Sequence, residues 1–135
     1  MGDGGFGEQQ STLTAFRTVS EADIALFELI IRGERPAPDD VPATTNWQPR
    51  QAAPHALTVA LLTAAAVRHL PEYPPVKIVQ QEVRCYLPIY TDDTVQTDSS
   101  VLASEPGSST VRVFARCFNQ DGLELAEGQF DLSAG

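Results

Sequence analysis

The strongest constraint on the fold is the segment PHALTVALLTAAAVRHLP, which runs from Pro54 to Pro71. The two prolines punctuate a helix of about four turns, because proline is tolerated in the first turn of a helix but cannot continue one. Apolar residues occur nearly all the way round this helix, so no face of it favours water. The segment therefore predicts a buried central helix that other elements must surround.

A first strand and a first helix precede the central helix. Leu13–Val19 alternates enough to predict the strand. The next segment, SEADIALFELIIRG, predicts a helix with Ser20 as its N-cap and Gly33 as its C-terminal stop. The residues predicted to form its apolar face are Ile24, Phe27, Ile30 and Ile31.

Strand patterns continue from the central helix to the end of the sequence. The predicted strands are Val76–Tyr86, Thr94–Ala103, Thr110–Phe118 and Leu123–Leu132. Turns are predicted at Asp92-Asp93 and at Asn119–Gly122, where Gly122 can adopt a positive φ. An antiparallel sheet that follows one hydrophobic helix implies that the sheet wraps the helix, which is the α+β hot-dog fold. Edge strands and leftover apolar surface predict a dimer in which two sheets join.

Length and composition predict a single globular domain over residues 12–135, preceded by a disordered leader at 1–11. The 135 residues are 42% hydrophobic and 20% charged, which is ordinary for a globular protein. The leader MGDGGFGEQQS has no basic residue and no apolar core, so no secretory signal is predicted and the expected location is the cytoplasm. Cys85 and Cys117 are expected to be reduced thiols, although a disulfide between them stays open at this point.

Charge and residue spacing exclude several classes of function. The formal net charge of −9 argues against a nucleic-acid partner, because binding phosphates needs clustered Lys and Arg. No Cys/His cluster has the spacing of metal ligands, so no metal site is predicted. No cofactor is predicted either. The sequence contains no apolar run long enough to span a membrane, so no membrane partner is expected.

Four stretches of the sequence resemble the MaoC-type hot-dog family, the (R)-specific enoyl-thioester hydratases and dehydratases. They are TVSEADIALFELI, PHALTVALLTAAAV, VRCYLPIYTDDTV and VFARCFNQDGLELAEGQFDL. The similar family patterns are vs-x-x-D-i-x-x-F, an aHGm helix start, f-x-x-P-v-x-x-g-D-x-v and n-q-x-G-x-x-v-x-x-G. The resemblance implies an acyl-CoA or acyl-carrier-protein thioester as ligand. It also implies a homodimer, or a heterodimer with another hot-dog subunit.

The family's catalytic loop, G-D-x-N-P-x-H, lies between the first helix and the central helix, where this sequence has GERPAPDD from Gly33 to Asp40. In the family, the Asp and His of the loop activate one water, which adds across the double bond of an enoyl thioester. By resemblance Pro36 matches the motif proline, and Pro38 stands in place of the histidine. The Asp position falls on Gly33, or on Glu34 if one residue is deleted. The resemblance therefore predicts a rewritten active-site loop.

The candidate site residues follow from this correspondence. His55, with Glu34, Asp39 or Asp40 as base, would form a substitute catalytic group. In the family a backbone N–H at the start of the central helix polarises the thioester carbonyl, and here Ala56 would supply it in place of the family's glycine. The residues predicted to bind substrate are Ala56, Leu57 and Trp47.

Three functions stay open from the sequence. The favoured hypothesis is an acyl-thioester protein without standard hydratase activity. It would act as a partner subunit that shapes the pocket, or as a repurposed polyketide- or fatty-acid-type enzyme such as a cyclase. The first alternative is an active hydratase or dehydratase that uses the substitute residues. The second is a hot-dog thioesterase, but the approach to His55 offers only Gln48, Arg50 and Gln51 where such enzymes place a carboxylate.

Overall fold

The computed structural model describes residues 12–33, 51–71, 75–104, 107 and 109–134. In chain order the elements are β1 (Leu13–Thr18), α1 (Glu21–Arg32), α2 (His55–Val67), β2 (Val76–Cys85), β3 (Thr94–Ser104), β4 (Thr110–Phe118) and β5 (Glu124–Ala134). Each predicted helix and strand is present, with small differences at the ends. The predicted leader and the segment 34–50 lie outside the described residues.

The strands form one antiparallel sheet in the order β1-β3-β4-β5-β2, with α2 lying against one face. The helix contacts all five strands, most extensively β3, β4 and β5. Only its first two residues, His55 and Ala56, are exposed. The other residues of α2 are buried or partly buried, as expected for a helix that is apolar on every side. The predicted hot-dog arrangement is confirmed.

The inner face of the sheet supplies most of the core. Along β4, Val113, Ala115 and Cys117 are fully buried, whereas Arg112 and Arg116 are exposed. On β5, Phe130 and Leu132 are fully buried on the same inner face. Burying side chains of this size contributes roughly 1.5–3 kcal/mol each, so this face accounts for a large part of the stability.

Gly128 on β5 allows the Phe130 ring to lie close to the strand. A Cβ on Gly128 would come within 2.9 Å of Phe130 Cε1 and 3.2 Å of Val83 Cγ2. Real Cβ atoms essentially never approach other atoms as closely as the first of these distances, so a larger residue would displace the ring. The glycine is therefore required by close packing and not by its backbone torsion angles.

The start and end of α1 match the prediction, but its apolar face does not match fully. Ser20 accepts a hydrogen bond from the Asp23 backbone N–H (3.1 Å), and the Asp23 carboxylate accepts one from the Ser20 N–H (3.0 Å), which forms a capping box. Gly33 ends the helix with a φ of 78°. The assignment of Ile30 and Ile31 to the core face is wrong, since they are 64% and 57% exposed while Ile24 is fully buried. At 100° per residue, Ile30 lies about 240° around the helix from Ile24.

The two cysteines are free thiols, as favoured from the sequence. Cys85 and Cys117 pair with opposite sides of the same residue, Ala126. Two strand spacings separate their Cα atoms by about 9.5 Å, whereas a disulfide requires less than about 7 Å. Burial raises the pKa of the Cys117 thiol to about 12, so this sulfur stays protonated and is a poor nucleophile.

The carboxylate of Asp93 connects several loops at one end of the sheet. Asp93 is only 2% exposed. It accepts hydrogen bonds from the Tyr90 backbone N–H (2.9 Å) and from Gln120 Nε2 (3.1 Å). Its backbone carbonyl accepts from the Val19 N–H at 2.9 Å. Gln120 in turn accepts from the Thr94 N–H at 3.1 Å. The turn before β3, the junction between β1 and α1, and the β4–β5 hairpin are thereby held together.

We expect Asp93→Asn to lower the free energy of unfolding by about 1–3 kcal/mol. The side-chain amide of Asn would place its own N–H donors opposite one of the two donors that the Asp93 carboxylate now accepts from. Asp92→Asn is the matched control. Asp92 is exposed, with a φ of 73° that Asn tolerates, so little change is expected. Urea denaturation followed by tryptophan fluorescence and circular dichroism measures both. Equal stability of the two variants would contradict the proposed role of Asp93.

Candidate functional site

The N-terminus of α2 is held in place by pairing between two connecting segments. The Ala53 N–H donates to the Ile89 carbonyl (2.7 Å), and the Thr91 N–H donates to the Gln51 carbonyl (2.9 Å). An isolated antiparallel bridge joins Ala52 to Tyr90 between them. The chain that leads into α2 is therefore fixed against the turn that Asp93 stabilises.

The first turn of α2 presents backbone donors at the protein surface. The N-cap is Pro54, whose side chain makes no capping hydrogen bond. Its carbonyl accepts from the Leu57 N–H at 3.0 Å. The first N–H groups of a helix have no intrahelical partner, and they form the positive end of the helix dipole. Because His55 and Ala56 are exposed, this end of the helix can receive a developing negative charge.

The structure describes three of the seven predicted site residues. His55 and Ala56 lie at the exposed start of α2, whereas Leu57 is 3% exposed and belongs to the core. The remaining four lie outside the described residues: Glu34, Asp39, Asp40 and Trp47. The backbone N–H of Ala56 and the side chain of His55 are thus neighbours at one helix end, and the roles predicted for them stay predictions.

Without a gap, the family resemblance assigns the catalytic Asp to Gly33; with one residue deleted, it assigns it to Glu34, which lies outside the described residues. Gly33 is the left-handed C-cap of α1, and its N–H donates to the Leu29 carbonyl at 2.9 Å. No described atom lies within 4 Å of the place where its Cβ would be. At this position the chain therefore has no carboxylate, although there is space for one.

A carboxylate that sequence reasoning missed approaches the segment before α2. Glu28 of α1 is half-buried, and its Oε1 accepts a hydrogen bond from Gln51 Nε2 at 3.2 Å. Glu28 and Gln51 are 23 residues apart, so no local pattern could reveal the pair. Gln51 was noted only as one polar residue on the approach to His55, and the contact ties α1 to that approach.

His69, the second histidine, has a structural role. It lies in the turn after α2, and its Nε2 is 2.9 Å from Ser99 Oγ. Ser99 Oγ donates to the Ala65 carbonyl at 3.1 Å, so the histidine is the donor in the other hydrogen bond. Burial lowers the pKa of His69, although its contact with Ser99 acts in the opposite direction. These bonds join the end of α2 to β3.

The described residues contain neither a candidate metal centre nor a candidate membrane span. No group of three or more His, Cys, Asp or Glu side chains among them could hold a metal ion. None of the described helices combines the length and the apolar character needed to cross a membrane.

Comparison with known proteins gives structural matches and no sequence-family match. Neither a scan against protein-family models nor a search of the curated proteins found a match. Among solved structures, the unliganded R-hydratase PhaJ1 from Pseudomonas aeruginosa is similar with a TM-score of 0.71 and 25% identity, over 93% of this chain and 80% of that chain. The (R)-hydratase from A. caviae involved in PHA biosynthesis has a TM-score of 0.72 and 18% identity, over 93% and 96%.

A third similar structure is a hypothetical thioesterase from Streptococcus pneumoniae TIGR4 with coenzyme A. Its TM-score is 0.66 with 8% identity, over 94% of this chain and 80% of that chain. At this identity, the likeness shows the fold alone. Together the matches confirm the hot-dog fold and confirm, by structure, the resemblance to MaoC-like (R)-hydratases.

We expect stability to decrease as the pH falls below about 6.5, the ordinary pKa of histidine. The pKa of His69 is lowered in the folded state, so the unfolded chain binds the proton more readily in this range. The contribution of His69 to stability is fully present above the pKa that it has in the unfolded chain. It is lost as the pH falls through the lower pKa that it has in the folded protein. Thermal unfolding measured between pH 7.5 and 5.5 tests this.

The His69→Asn variant should lose part of that pH dependence. His55→Asn is the matched control, because His55 is the other histidine of the chain and lies exposed at the opposite end of α2. If the His69→Asn variant keeps the full dependence of thermal stability on pH, His69 is not the group responsible.

Proposed function

We propose that this chain binds acyl thioesters, carried on CoA or on a carrier protein, at the N-terminus of α2 without standard hydratase activity. It would act either as the partner subunit of a hot-dog enzyme that carries an intact catalytic dyad or as a repurposed polyketide- or fatty-acid-type enzyme. The observation that carries this proposal is Gly33. At the place where the resemblance, taken without a gap, puts the catalytic carboxylate, the chain has a helix-terminating glycine with no side chain.

The start of α2 supports the binding part of the proposal. A thioester carbonyl needs a donor that can bear a developing negative charge, and backbone N–H groups at a helix N-terminus provide one. Ala56 stands where the family pattern has glycine, so its N–H remains available while its methyl group leaves less room. The fold shared with two (R)-hydratases and with a structure containing coenzyme A agrees with this ligand class.

The missing proton-transfer groups support the second part of the proposal, which is the lack of standard hydratase activity. Adding water to an enoyl thioester requires a base to take a proton from water and an acid to protonate the carbon chain. Gly33 has no titratable group, and neither does Pro38, which stands in place of the motif histidine. His55 would remain as a polar neighbour of the carbonyl.

An active hydratase that uses substitutes is the alternative outcome. In that case Glu34, Asp39 or Asp40 would serve as base beside His55. The two possibilities differ in a direct measurement, because only the alternative turns over an enoyl substrate.

We expect the purified protein not to hydrate crotonyl-CoA at an enzymatic rate, as followed by loss of the enoyl absorbance. The double variant Gly33→Asp/Pro38→His should gain hydration, because it restores both groups of the motif. Gly33→Asn/Pro38→His is its matched control, since Asn also tolerates a positive φ but cannot act as base. Hydration by the wild type that His55→Ala abolishes would overturn the proposal in favour of the active alternative.

We expect Ala56→Pro to weaken binding of a butyryl-CoA thioether or thioester about tenfold, which corresponds to about 1.4 kcal/mol for one lost hydrogen bond. Proline removes the N–H and is tolerated in the first helical turn. Ala56→Gly, which keeps the N–H, is the control and should bind normally. Calorimetry measures affinity, and circular dichroism confirms that the variant folds. Unchanged affinity in Ala56→Pro would exclude this donor.

A further inference from the structure

The position of the first donors of α2 depends on the segment that leads into the helix. Pro54, the N-cap, makes no side-chain capping hydrogen bond, and as a proline it has no N–H to donate. Leu57 is the first residue of α2 that the core buries, and His55 and Ala56 before it are exposed. The direction of the Ala56 N–H is therefore set by Leu57 on one side and by the backbone of residues 51–53 on the other.

The turn before β3 holds one side of this approach segment, residues 51–53. The Ala53 N–H donates to the Ile89 carbonyl at 2.7 Å. The Gln51 carbonyl accepts from the Thr91 N–H at 2.9 Å and from Thr91 Oγ1 at 3.3 Å. The pairing is a short two-stranded ribbon, and such ribbons are marginally stable by themselves. A further contact on the other side of the approach segment therefore adds to its order.

Helix α1 supplies that contact through Glu28. Gln51 Nε2 donates a hydrogen bond to Glu28 Oε1 at 3.2 Å, and Glu28 is half-buried. Arg32 lies one turn further along α1, at the spacing that favours an ion pair with Glu28. The ion pairs found among the described residues do not include this one. The Glu28 carboxylate is thus directed to the approach segment and not to a cation of its own helix.

Helix α1 is itself a firm support for this contact. Its start is fixed by the capping box, and Asp23 Oδ1 in the first turn accepts from Arg17 of β1 at 2.6 Å. Ile24 is fully buried, and Glu28 follows it by about one turn. A continuous series of contacts therefore runs from β1 through α1 and Gln51 to the start of α2.

We propose that Glu28 is a positioning residue of the thioester site. Its carboxylate holds the Gln51 side chain, and Gln51, which lies in the approach segment, keeps the Ala56 N–H directed at the thioester carbonyl. A binding group must be held within about 0.5 Å of its productive geometry, so loosening the approach segment weakens this one contact. The inference rests on the proposed function and adds to it a residue outside the catalytic motif of the family.

Calorimetry with two matched ligands on the full chain tests the proposal. Butyryl-CoA carries the thioester carbonyl, whereas S-butyl-CoA is a thioether with a CH₂ group in its place. Glu28→Ala should weaken butyryl-CoA about fivefold and leave S-butyl-CoA within about twofold. The reason is that only the thioester has an oxygen that accepts from the Ala56 N–H. A general loss of structure would weaken both ligands equally.

Further variants distinguish the hydrogen bond from other effects of Glu28. Gln51→Ala should give the same selective loss, and the double variant Glu28→Ala/Gln51→Ala should lose no more than either single variant, because both remove one interaction. Glu28→Gln should keep about half or more of the wild-type affinity, since its amide oxygen still accepts a hydrogen bond. Glu82→Ala removes a carboxylate at an exposed position on β2 and is the matched control. Circular dichroism confirms that each variant folds.

The outcomes separate this inference from the proposed function. If the wild type does not bind butyryl-CoA, the proposed function fails and the inference fails with it. If the wild type binds and Glu28→Ala weakens both ligands equally or neither, the inference is overturned and the proposed function stands. The same holds if the two single losses add, or if Glu28→Gln loses as much as Glu28→Ala. Tighter binding by Glu28→Ala than by Glu82→Ala also overturns it, because the carboxylate would then act only by repelling the anionic CoA.

Discussion

The arrangement of the candidate site depends on one buried carboxylate. Asp93 binds the turn before β3 and the β4–β5 hairpin, and its carbonyl binds the junction between β1 and α1. The same turn pairs with the segment that leads into α2. Because a buried charge requires several donors, these loops must adopt their native positions together. The helix end that is proposed to bind the thioester is fixed through this network.

The order and extent of the elements could be predicted because each has a strong local signal. The even hydrophobicity of α2 predicted burial, and Ser20 and Gly33 predicted the ends of α1. The predicted strands end within two residues of the observed ones. Ile30 was misassigned because apolar spacing marks a helix but does not determine which side faces the core. The contact between Glu28 and Gln51 depends on distant segments meeting, which periodicity does not encode.

The candidate site was predicted only in part, for a physical reason. The helix N-terminus follows from Pro54 and the apolar run, so His55 and Ala56 could be located from the sequence. Catalytic groups on a connecting loop depend on the loop's path, which has no periodic pattern. Asp92 illustrates a related limit: the family pattern has glycine there, and the structure shows the positive φ that explains the preference. The sequence alone shows the substitution but not its conformational cost.

The packing of Phe130 on Gly128 limits the route that a bound ligand can take. The ring is fully buried and lies close to the strand, so the space above this part of β5 is already filled. The proposed ligand at the start of α2 would have to displace this ring in order to lie along the middle of β5. The choice of small and large residues on β5 would thereby select ligands by shape, far from any group that reacts.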